Sequence, residues 1–192
     1  LVGSEMCIRD RVASYIPQLS GANPQSYALA ACFIDGQQIA WGKSTTQFCL
    51  QSVCKPINYW LALETLGEDK VHQHVGFEPS GSIFNALNLN QKGLPHNPLI
   101  NAGGIMCSSL IKPELTLSDR FEYIAQTWTA LTGGTCPGFD NAVYQSERQT
   151  ADRNYALAHF MRENGAFPKN TDLHTTLELY FQSCSMTISA FY

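Results

Sequence analysis

The 192 residues predict a mixed α/β (α+β) domain, an N-terminal β-hairpin followed by a mostly helical part. Three observations carry that prediction. Hydrophobic residues make up 44% of the chain and charged residues 15%, enough to close a core and far from the balance of a disordered segment. Two apolar runs, residues 27–34 and 38–41, meet at Asp35-Gly36, a hairpin signal. From Gln51 onward the apolar residues recur at helical spacing, punctuated by Gly, Pro and Asp.

Taken in order, residues 12–19 read as a short helix cut by Pro17, and residues 21–24 as a loop. Beyond the hairpin, residues 52–66 place Ile57, Trp60, Leu61, Leu63 and Leu66 at helical spacing and stop at Gly67. Residues 78–81 and 94–98 are turn-rich. Residues 101–112 are expected as a helix ended by Pro113, and residues 117–131 as one closed by Gly133-Gly134. Ser146-Glu-Arg-Gln149 reads as a capping box opening a helix that runs to Gly165. Asp172 caps a last helix carrying Leu173, Leu177, Tyr180 and Phe181 on one face. Two strands alone make a poor sheet, so the remaining strands are expected beyond Tyr192.

Net charge is -4, and the 12 Lys and Arg residues form no cluster, which argues against a nucleic-acid partner. No apolar run reaches the length of a membrane span. The seven cysteines (Cys7, Cys32, Cys49, Cys54, Cys107, Cys136, Cys184) contain no CxxC pair and no Cys-His cluster at zinc spacing. They read as reduced, mostly buried thiols of a cytoplasmic protein, a mitochondrial one being the eukaryotic alternative. His72 and His74 lie two residues apart, on different faces of any helix, so neither a metal site nor a cofactor is expected. Residues 1–11, LVGSEMCIRDR, resemble a translated sequencing adapter and not a signal peptide. They are set apart as a non-native leader, leaving residues 12–192 as the domain.

Chemistry enters at Ser52-Val-Cys-Lys55. Ser-x-x-Lys sets a hydroxyl and an ammonium one helical turn apart, about 5–6 Å between Cβ atoms, on one face. A lysine whose pKa is lowered by desolvation can take the serine proton and make a nucleophile of it. The pattern also occurs at Ser109-Leu-Ile-Lys112. Helix polarity separates the two. Pro56 is tolerated only in a first turn, which puts Ser52 at the helix start, its amide ready to serve an oxyanion. Ser109 falls near a helix end, where carbonyls face out. A plainer reading makes Ser52 an ordinary N-cap and Lys55 a surface residue.

The surroundings add a resemblance. Gln47-Phe-Cys-Leu-Gln-Ser-Val-Cys-Lys-Pro56 is similar to the nucleophile segment of serine-dependent glutaminases, nearer the animal-type branch. Val75-Gly-Phe-Glu-Pro-Ser-Gly-Ser-Ile-Phe-Asn85, His96-Asn-Pro-Leu-Ile-Asn-Ala-Gly-Gly-Ile105 and Tyr144-Gln-Ser-Glu-Arg-Gln-Thr-Ala-Asp-Arg-Asn154 resemble three further signatures, in the family's order. The resemblance implies a serine β-lactamase-like fold and hydrolysis of glutamine to glutamate and ammonia through a γ-glutamyl ester on Ser52. It implies proton transfer by Lys55, with Tyr15 and Gln51 beside the nucleophile. It implies Asn101, Glu147 and Asn154 on the substrate's α-amino and α-carboxylate groups, Tyr180 at the amide end, and a homo-oligomer.

The resemblance also implies a later tyrosine and a Ser-Gly-Val-type strand carrying a second oxyanion amide, neither of which has a counterpart before Tyr192. Residues 12–192 are therefore expected to be an incomplete glutaminase domain lacking the C-terminal strands of its sheet. Loss of one oxyanion donor typically lowers rates about 10²–10³-fold, so a poorly active, aggregation-prone chain is expected. Two alternatives stay open: another acyl-serine hydrolase of the same fold, and an inactive copy acting only in assembly.

Overall fold

The computed structural model describes residues 12–191. The expected leader, with Cys7, lies outside the described residues. The first helix, α1 (Pro17–Ser20), starts at the proline that was expected to cut it, and residues 12–16 are not helical. A proline's fixed φ and missing N–H suit a first helical position, so it opens the helix.

Strands β1 (Ala28–Cys32) and β2 (Gln38–Gly42) form the expected hairpin, Ala28 opposite Gly42 and Cys32 opposite Gln38. Gly36 takes a left-handed φ of 86°, and the Asp35 side chain accepts from the Gln37 amide at 3.0 Å. Leu29, Phe33 and Trp41 stay exposed on this hairpin, and the core lies elsewhere.

Strand β3 (Phe48–Cys49) leads through a 3₁₀ turn (Gln51–Val53) into α2 (Cys54–Leu66), which ends at Gly67 with φ 82°. A short α3 (Glu68–Val71) follows, then an irregular stretch to residue 100. Helix α4 (Asn101–Leu110) stops short of Lys112, whose φ of 42° no helix accommodates. Thr116 caps α5 (Leu117–Leu131) by accepting from the Asp119 amide. Strand β4 (Gly138–Phe139), α6 (Asn141–Gln149), α7 (Asp152–Glu163), α8 (Leu173–Ser185) and β5 (Met186–Ile188) complete the order. Asp172 caps α8 as expected, accepting from the Thr175 amide at 3.0 Å.

Two expectations fail. Ser146-Glu-Arg-Gln149 is no capping box: α6 is already running there, because Asp140 holds the extended N-cap position and accepts from the Val143 amide at 3.0 Å. The chain breaks at Thr150 and restarts at Asp152, so two helices stand where one was expected. Further strands also occur before Tyr192. Strand β5 is the centre of an antiparallel sheet ordered β3-β5-β4, Cys49 opposite Thr187 and Phe139 opposite Met186. Segments of two or three residues carry no readable period.

Helices α4 and α8 form the middle of the core. Every residue of α4 from Ala102 to Leu110 is buried, and α8 buries Leu177, Leu179, Tyr180, Phe181 and Cys184. Close packing at α4 depends on two glycines. A Cβ on Gly103 would stand 1.9 Å from the Asn97 carbonyl oxygen, and one on Gly104 3.1 Å from both Lys55 Cε and Tyr180 Cε2.

Candidate active site

The small sheet sets the nucleophile turn. Leu50 donates to the Met186 carbonyl at 2.8 Å and Asp140 donates to the Ser185 carbonyl at 2.9 Å, so the junction of α8 and β5 clamps both the entry to Ser52 and the entry to α6. Gln51 carries a φ of 47°, a left-handed conformation that strains any residue but glycine. That backbone sends its side chain between two partners. Tyr15 donates to Gln51 Oε1 at 2.8 Å, and Gln51 Nε2 donates to Glu147 Oε2 at 3.5 Å.

Ser52 is exposed within the 3₁₀ turn, and among the described residues nothing accepts from its amide or bonds its hydroxyl. Pro56 is the third residue of α2, inside the first turn as its chemistry requires. Lys55 is 2% exposed, and its Nζ donates to Asn101 Oδ1 at 2.7 Å. Burial lowers its pKa, opposed by the negative character of the nearby Cys184, Cys54 and Glu147 side chains. Asn101 in turn donates from Nδ2 to Asn154 Oδ1 at 3.1 Å.

Glu147 sits in the last turn of α6, 8% exposed. Burial pushes its pKa up to about 7, while the Gln51 hydrogen bond and the Lys55 charge pull the other way. Behind it Arg148 pairs with Glu178 at 2.7 Å, and the Tyr144 hydroxyl donates to the same carboxylate. These bonds fix α6 to α8, and so Glu147 to Tyr180. Tyr180 is 3% exposed, and burial first, then Cys184, raises its pKa. Tyr15 is 61% exposed; partial burial, followed by the charge of Glu147, raises its pKa too.

A cavity of about 230 Å³ joins these groups, smaller than the ~300–1,000 Å³ of drug-sized sites and suited to an amino acid. Tyr15, Gln51, Ser52 and Asn101 line it, as do Glu147, Asn154 and Tyr180. Lys55 reaches the group through Asn101. Sequence reasoning missed Phe84, Asn85, Arg153 and Cys184, which also line the cavity. The first three stand inside the quoted signatures, so their position was the available signal; Cys184 had none beyond its place one turn after Tyr180. The competing Ser109 and Lys112 fall apart. Ser109 is 4% exposed and bonds the Met106 carbonyl at 2.7 Å, and Lys112 Nζ lies 5.4 Å from the Tyr123 ring centroid.

An exposed hydroxyl, an unpaired amide at the same residue, a desolvated amine and a buried carboxylate together suit acyl transfer from a small zwitterion. Among the described residues no group of three His, Cys, Asp or Glu could hold a metal, and no helix is long and apolar enough to cross a membrane.

Residues 11–191 match the family model described as Glutaminase. A Caenorhabditis elegans protein named as a glutaminase is 51% identical over 175 residues, covering 91% of this chain and 30% of that protein. The mitochondrial liver isoform glutaminase of Rattus norvegicus is 44% identical over 179 residues, covering 93% and 30%. The chain thus spans about 30% of the length of these relatives. The solved structure of Mglu in its glutamate form superposes with a TM-score of 0.85 at 29% identity, covering 99% of this chain and 43% of that one. The chain belongs to the glutaminase family.

Proposed function

We propose that this chain hydrolyses L-glutamine to L-glutamate and ammonia through a γ-glutamyl ester on Ser52. The observation that supports this most is the placement of Lys55: buried, its pKa lowered, and bonded to Asn101 at the edge of the cavity that holds Ser52 and Glu147. In the reading, neutral Lys55 takes the Ser52 proton as Oγ attacks the side-chain amide carbon. The oxyanion forms against the Ser52 amide at the head of α2. Lys55 then gives its proton to the departing ammonia, and water opens the ester by the reverse path.

Substrate recognition follows from charge. Glu147 takes the α-ammonium, and its pKa near 7 drops as the cation docks. Asn101 is committed to Lys55 and Asn154, which leaves the Asn154 Nδ2 and the Tyr180 hydroxyl without a described partner and free to bond the ligand. Tyr15 and Gln51 hold the side of the cavity next to the nucleophile. The work is assigned to an aqueous compartment, cytoplasmic or mitochondrial, with the chain acting in a homo-oligomer.

The test is covalent labelling of the purified chain by a glutamine-mimicking diazoketone. Mass mapping is expected to place the label on Ser52, glutamine is expected to protect against it, and Ser52→Ala is expected to abolish it. Labelling that survives Ser52→Ala, or that glutamine leaves untouched, rejects the reading.

A further inference from the structure

Two thiols flank the proposed machinery. Cys54 is the first residue of α2, next to Lys55, and Cys184 lies on α8 one turn beyond Tyr180. Their sulfurs are 4.0 Å apart and share a hydrogen bond; Cys54 is 0% and Cys184 2% exposed. Both bear on the Lys55 charge, and Cys184 lines the cavity beside Ser52. We infer that Cys54 and Cys184 are a closable dithiol: a peroxide that enters the cavity joins them in a disulfide, and the cross-link displaces Lys55 and Tyr180 from Ser52. This rests on the functional reading only for its consequence, not for the cross-link itself.

The step balances with one peroxide. Cys184, the thiol that meets the cavity, attacks a peroxide oxygen; the O–O bond breaks, water leaves, and a sulfenic acid remains. The Cys54 sulfur then attacks Cys184 Sγ, and a second water leaves with the Cys54 proton. Two thiols are oxidised by two electrons and the peroxide is reduced. The Cys54 hydrogen bond and then burial hold the Cys184 thiol well above its ordinary pKa, so the first step is slow and needs an excess of oxidant.

Geometry gives the cross-link its effect. A disulfide holds its sulfurs about 2.05 Å apart, so α2 and α8 must draw together or the side chains rotate by about 2 Å in all. Lys55 adjoins Cys54, Tyr180 lies one turn before Cys184, and both side chains pack on Gly104 of α4, each with a carbon 3.1 Å from where its Cβ would be. A contraction between the two thiols therefore moves the two residues that flank the nucleophile. Displacements near 1 Å at a reacting group lower rates about 10²-fold.

The experiment uses the full chain carrying Cys32→Ser and Cys136→Ser, which remove the two exposed thiols among the described residues. After millimolar hydrogen peroxide, peptide mapping is expected to show a Cys54–Cys184 cross-link that dithiothreitol reverses. Ser52 labelling is expected to fall about 10²-fold and return on reduction. Cys54→Val is expected to label normally before and after peroxide. No 54–184 cross-link, a Cys49–Cys184 cross-link in its place, or equal peroxide sensitivity in Cys54→Val overturns the inference. Should the reduced chain take up no label, the functional reading has failed instead. Amide exchange over residues 51–55 then reads the coupling, with slower exchange expected on cross-linking and unchanged exchange rejecting it.

Discussion

Lys55 Nζ lies 2.7 Å from Asn101 Oδ1, and no described residue bonds the Ser52 hydroxyl one helical turn away. The amine is thus parked on a neutral amide within reach of its proton-transfer partner. A neutral acceptor matters here. It satisfies the amine in either protonation state, and burial can then lower the pKa with no full charge bonded directly to the amine.

Asn101→Asp reverses that arrangement. A carboxylate at 2.7 Å favours the ammonium, raises the Lys55 pKa and lowers the fraction of free amine at a given pH. The pH limb of Ser52 acylation, measured by diazoketone labelling at saturation, is expected to move to higher pH. A limb left in place would show that Lys55 is not the base.

Glu147 couples stability to pH. Its folded pKa of about 7 lies above the ordinary 4.5, so the folded state binds the proton more tightly. That contribution is fully present below pH 4.5 and is lost as pH rises through 7, amounting to at most about 3 kcal/mol. Glu147→Gln removes it. Urea unfolding at pH 4.5 and pH 8 is expected to show the variant gaining up to about 3 kcal/mol on the parent between the two. The variant is also expected to bind glutamine far more weakly at pH 8, since its amide cannot neutralise the ammonium. A stability difference independent of pH rejects the assignment.

The two adjacent glycines of α4 are expected to respond differently to alanine. At Gly103 the new methyl meets the Asn97 carbonyl oxygen at 1.9 Å, so the backbone must move and stability falls by about 1–3 kcal/mol or more. At Gly104 it meets the end of Lys55 and the ring edge of Tyr180 at 3.1 Å, which can yield. Gly104→Ala is expected to unfold near the parent midpoint while Ser52 labelling slows about 10²-fold. Equal loss of stability in both would mean that Lys55 and Tyr180 are not held against this glycine.

How much was legible follows the same physics. Pro56 placed Ser52 at a helix start because a missing N–H is tolerated only there, and the structure agrees. Residues 117–131 came out as expected, since fifteen residues give four turns of periodicity. Ser146-Glu-Arg-Gln149 misled because a capping box describes one turn in isolation, and Asp140, six residues upstream, had already captured the N-terminus. Strands β3, β4 and β5 were invisible because their pairing partners lie up to 140 residues apart along the chain and each is too short to show alternation. Arg153 and Phe84 stand inside the quoted signatures, but it is the fold that brings them to the cavity.

The duplicated motif offers the sharpest control. Ser109-Leu-Ile-Lys112 has the spacing of Ser52 and Lys55, yet Ser109 turns its hydroxyl back onto the Met106 carbonyl at 2.7 Å. Lys112 has left the helix at φ 42° and packs over Tyr123. Ser109→Ala and Lys112→Ala are therefore expected to label at Ser52 within about twofold of the parent. Each is expected to lose about 1 kcal/mol of stability in urea, the first for its hydroxyl bond and the second for its cation–π contact. A loss of labelling comparable to that of Ser52→Ala in either variant would mean that helix polarity does not decide which Ser-x-x-Lys pair reacts.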